Sequence, residues 1–129
     1  MQSLDNNTTP KNTIERMAKD CYLAAACKHV GISAQTYEDF NLLRQFQQEH
    51  LPKHRIGVLY LRTYQKAAPQ IVENIDAHTS RDSIYTFIYQ VVRQCVDAIK
   101  KGAIDAALRV LVNMMHNIQL RYGLVDNII

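Results

Sequence analysis

Apolar residues recur at steps of three and four through most of the chain, and the elements follow from where that rhythm starts and stops. Ile14, Met17, Ala18, Cys21, Tyr22 and Ala25 make the first stripe, and alanines carry helix propensity through Ala26 until Gly31 ends the helix. Ser33 is placed to cap a second helix, in which Tyr37, Phe40, Leu43 and Phe46 face inward until Pro52. From Arg55 a third helix holds Gly57, Tyr60, Leu61, Tyr64, Ala68, Ile71 and Ile75 on one face. Pro69 lies inside it; the ring lacks an amide donor and collides with the carbonyl four residues back, so a kink or a break is expected there. A fourth helix starts at Thr79 or Ser80 with Ile84, Phe87, Ile88, Val92 and Cys95 inward, and closes at Lys100, Lys101 and Gly102. The fifth runs from about Ala103 to Tyr122, with Ala107, Leu111, Met115 and Ile118 inward and Gly123 as a left-handed cap.

No segment alternates with period two for long enough to read as a strand, and no internal repeat is visible. The expected fold is therefore all-α, a small antiparallel helical bundle of about five helices, the third kinked or broken at Pro69. Short connections make consecutive helices antiparallel neighbours. Residues 1–12, rich in Asn and Thr, read as a flexible polar tail, and residues 13–129 as one helical domain. Tyr85, Tyr89, Val110 and Met114 lie beside the main stripes of the last two helices and widen them. Those faces either sit centrally or meet a partner.

Composition narrows the class. A hydrophobic share of 47% and a charged share of 21% in 129 residues are those of a globular domain that buries one core unaided. The net charge of +3 is mild for a nucleic-acid binder, but it is unevenly spread: six bases balance six acids up to His54, and nine bases face six acids beyond it. Three cysteines, an odd and sparse set, read as reduced thiols, and with a polar start and no long apolar run the expected location is cytoplasmic, with no membrane contact.

The stretch Cys21-Tyr22-Leu23-Ala24-Ala25-Ala26 resembles the opening of the bacterial CFI-box domain, in which Cys, Phe and Ile precede small residues. Leu43-Arg44-x-Phe46, Leu51, Gly57, Tyr60, Tyr64 and Pro69 resemble further positions of that family in the same order, so that the likeness spans Cys21 to Asp76. Lys28-His29 stands where the family places Tyr-Gly, and Tyr22 and Leu23 replace Phe and Ile. The resemblance implies a bacterial origin and a helical domain, and it names no substrate.

Candidate chemistry is sparse. Cys21 can be read as a nucleophile served by His29 or His54, although its place on the apolar stripe favours a buried structural thiol. Cys27, His29, His50 and His54 lack the compact spacing of a metal site, and the four glycines are too scattered for a phosphate-binding loop, so neither metal nor cofactor is expected. Glu38 and Asp39 read as helix-terminal charges, and Glu73 and Asp76 as a pair on one face. Gly57 on a buried face points to close approach of another backbone. Lys53, Arg55, Arg62 and Lys66 form the best basic stripe, without the interleaved aromatics that stack bases.

The expected function is a non-enzymatic protein-binding module of a bacterial cytosol, with a toxin-neutralising immunity protein as its narrower form. The partner is one other protein or a second copy of the chain. The expected contact residues are Tyr85, Tyr89, Val110 and Met114 together with Arg55, Arg62 and Lys66. A thiol-dependent enzyme using Cys21 and a weak nucleic-acid binder using Lys53, Arg55, Arg62 and Lys66 are the alternatives.

Overall fold

The computed structural model describes residues 10–123. Helices α1 (Pro10–Met17), α2 (Tyr22–Val30) and α3 (Ala34–His50) are followed by a 3-10 turn, Leu51–Lys53. Then come α4 (Arg55–Asp76), α5 (Arg81–Lys100) and α6 (Ile104–Tyr122). The fold is an all-α helical bundle, with six helices among the described residues where about five were expected.

The extra helix comes from a break in the first stripe. Cys21 leaves helical geometry at φ −144° and ψ 111°, and its Sγ accepts a hydrogen bond from the amide of Ala24 at 3.4 Å. A thiol thus does the work that Ser or Asp normally does at an N-cap. The apolar spacing runs on across the break, which is why periodicity alone merges the two helices. At the other end of the tail, helix begins at Pro10 rather than Thr13, as a proline tolerates the first turn. The rest of the expected tail, residues 1–9, lies outside the described residues.

Other boundaries follow the sequence closely. Ser33 and Thr36 form a reciprocal capping box on α3, and Gly31 leaves α2 at φ +115°, a backbone conformation that costs glycine little. The chain runs through Pro69 without a break, so the interruption that was one of the two expected outcomes does not occur. Gln65 and Pro69 both lie on the exposed side, where water can take the carbonyl that loses its amide partner. Gly123 sits at φ −98°, so it is not the left-handed cap that was expected.

Residues Tyr22 to Cys27 are all buried, so the first six residues of α2 are covered on every side and run through the core, while Lys28, His29 and Val30 emerge from it. Its alanines let neighbouring helices approach closely. The chain-order pairing expected for short connections does not hold throughout. α5 packs most extensively on α6, α2 on α5, and α4 on α6, while α3 reaches α4 mainly through the 3-10 turn. Gly57 makes that last approach possible: a Cβ there would overlap the carbonyl oxygen of Leu51 and come within 3.0 Å of its Cα. No helix among the described residues is long and apolar enough to cross a membrane.

Candidate functional site

Capping α2 turns the Cys21 side chain inward, where its Sγ shares a hydrogen bond with Tyr64 Oη from α4, and the ring of Tyr22 stands edge-on to that of Tyr64 at 4.9 Å. Burial pushes the Cys21 thiol and the Tyr64 hydroxyl above their ordinary values, and the nearby Arg44 guanidinium offsets only part of this. Both groups are therefore neutral at pH 7. His29 lies eight residues further along α2, about 12 Å away at 1.5 Å per residue, and His54 is exposed ahead of α4. The hydrogen bonds seen at the Cys21 thiol among the described residues involve Tyr64 and the Ala24 amide, and none of them involves an imidazole.

His29 belongs to a different cleft, of about 520 Å³, where it meets Asp82 at 3.6 Å and its ring lies 5.7 Å from that of Tyr85. Tyr85 donates to Asp76 at 2.7 Å, and burial with that carboxylate raises its hydroxyl pKa. The pair expected on Glu73 and Asp76 is thus partly spent inside the protein. His50 packs on Phe46, and no three His, Cys, Asp or Glu side chains among the described residues come together as a metal site would require.

The partner face expected on the last two helices is largely taken up internally. Tyr85 is buried, Tyr89 is half-buried and donates to Asp39 at 2.6 Å, and Met114 is buried against the core. Val110 is half-buried beside a shallow hollow that it shares with Met114 and Phe87. Phe87, expected inward, is 55% exposed instead.

One polar cluster was missed. Asp39 is wholly buried, and its carboxylate accepts from Tyr89 Oη at 2.6 Å, Arg93 Nη1 at 2.6 Å and Gln35 Nε2 at 3.0 Å, tying α3 to α5. The spacing held the signal, since Asp39 follows Thr36 by three and precedes Leu43 by four, on the buried stripe rather than at a free helix end. This is an internal clasp, not a site.

The basic residues of the 3-10 turn and of α4 remain outside. Lys53, Arg55, Arg62 and Lys66 are exposed, and none of them forms an ion pair among the described residues. Between them lie Ile56 at 54% and Leu59 at 57% exposure, which periodicity had not singled out. The nearest ring, Tyr60, is half-buried, with its hydroxyl bonded to His116 Nδ1 at 2.6 Å. That face accordingly offers cations and aliphatic surface, with the exposed His54 imidazole at its start and no exposed tyrosine or phenylalanine among its residues. No protein-family model, curated protein or solved structure matches the chain.

Proposed function

We propose that this chain is a non-enzymatic binding module that docks an acidic, amphipathic segment of one protein partner on the outer face of α4. The observation that carries the reading is the pair of exposed aliphatic side chains, Ile56 and Leu59, set among four cations with no acidic partner among the described residues. Exposed apolar residues scattered singly are ordinary, but here Leu59 lies on one helix face with Arg55, Arg62 and Lys66, and Ile56 borders that face one turn back. Like charges four residues apart, as Arg62 and Lys66 are, cost a helix about 0.2–0.5 kcal/mol, and an acidic partner removes that cost while covering the aliphatic pair. Bases stack on rings, and here Tyr60 is half-buried and tied to His116, which leaves only the His54 imidazole, while the aliphatic pair suits a protein better than a single-stranded nucleic acid. Neutralisation of a toxin by occlusion is the narrower form of the same reading.

The test places a photo-crosslinking residue at position 59 in native cells, with position 90 on exposed α5 as the control. One cross-linked segment rich in Asp, Glu and aliphatic residues, lost in the double variant R62E/K66E, is the expected result. Cross-links to nucleic acid, equal yields at both positions, or yields that survive charge reversal would overturn it.

A further inference from the structure

A cleft of about 460 Å³ lies between α1, α3 and α4, and it shares no residue with the docking face just described. Cys21 and Tyr64 form part of its wall, Met17 and Leu61 add apolar surface, and Arg44 and Gln47 come from α3. Residues 43 positions apart in sequence are brought together here by the Cys21–Tyr64 hydrogen bond.

The lining has an imbalance of donors. Arg16 and Arg44 set two guanidinium groups against the single carboxylate of Asp20, and neither arginine forms an ion pair among the described residues. Gln47 is 6% exposed, and its Nε2 has no hydrogen-bond partner among the described residues. A buried amide nitrogen left unpaired is costly, and an acceptor that enters the cleft relieves that cost. Cys21 and Tyr64 bring no negative charge, because burial holds both in their neutral forms.

We propose that this cleft binds a small organic carboxylate with a short apolar tail, its head held by Arg44 and the Gln47 amide and its tail laid against Met17 and Leu61. Guanidinium donors match a carboxylate in geometry and charge, whereas an amine or an alcohol would leave them unanswered. A bare inorganic anion would leave the apolar wall uncovered.

Hexanoate is the probe, titrated into the full chain while the Gln47 side-chain amide and the Arg44 Nε–H are followed by NMR, with hexylamine and inorganic phosphate as comparisons. Saturable shifts at both groups with a dissociation constant below about 1 mM are expected. Arg44→Gln and Gln47→Leu should each weaken binding about tenfold or more, and Gln47→Leu keeps the protein folded because it removes an unpaired buried group. The proposal is overturned if shifts do not saturate by about 10 mM, if phosphate or hexylamine binds as tightly, or if both variants retain the affinity of the parent.

Discussion

Replacing Arg93 by Met tests whether the buried clasp between α3 and α5 holds the bundle together. The Asp39 carboxylate has no solvent exposure, and the 2.6 Å bond from Arg93 is its one contact with a cation among the described residues. Removing one partner from a buried ion pair costs about 3–5 kcal/mol, because the remaining charge stays desolvated and uncompensated. Two features reduce that figure here: the Arg93 side chain is 36% exposed, and Tyr89 and Gln35 continue to donate. The expected loss is therefore about 2–3 kcal/mol, which for an m-value of about 1.5 kcal/mol per molar lowers the urea midpoint by about 1.5 M. Adding Asp39→Asn to the Arg93→Met protein replaces the stranded charge with a neutral acceptor and should recover part of the loss, so the two changes are coupled rather than additive. A midpoint drop of less than about 0.5 M for Arg93→Met, or further destabilisation by Asp39→Asn in that background, would refute the reasoning.

Three further outcomes follow from buried groups. Gly57→Ala forces a Cβ into the Leu51 backbone, so the protein should lose about 2 kcal/mol and melt about 8 °C lower by differential scanning calorimetry; an unchanged Tm would mean that the 3-10 turn yields freely. The Cys27 and Cys95 thiols are pushed by burial from 9.0 up to about 12, so their contribution to stability is complete below pH 9 and lost as pH rises towards 12. Each thiol then removes about 1.4 kcal/mol per pH unit above 9, and urea midpoints should fall from pH 9 to 10.5 more steeply for the parent than for Cys95→Ala; equal slopes would contradict the assignment. Cys21, buried and protonated, should react with iodoacetamide at pH 7.5 about a hundredfold more slowly than free cysteine, and fast labelling would reopen nucleophilic chemistry at that position.

Legibility differed by element in ways that have identifiable causes. The Ser33 cap, the Gly31 stop and the inward stripe of α3 were plain, because they depend on residues within one or two turns of each other. The break before Cys21 was not, because a thiol is an uncommon cap and the apolar register continues across it. Asp39 was taken for a terminal charge since its partners, Tyr89 and Arg93, lie 50 and 54 positions away. Tyr85 and Tyr89 looked like spare apolar surface for the same reason: their hydroxyl partners, Asp76 and Asp39, cannot be recognised until the helices are docked.

The amino-acid sequence by itself determined the helical segments apart from the break before Cys21, most of their ends, the need for close approach at Gly57 and the basic stripe from Lys53 to Lys66, all of which rest on local spacing and on residue chemistry. Only the tertiary structure decided that the first six residues of α2 are covered on every side, that α4 packs on α6 and α2 on α5, and that Ile56 and Leu59 stay outside while the two tyrosines of α5 turn in. Helical periodicity says which face of a helix is apolar, but several packings of six such helices can cover those faces. The choice among them is made by contacts between distant residues, and the cleft at Cys21 and Tyr64 exists only once that choice is made.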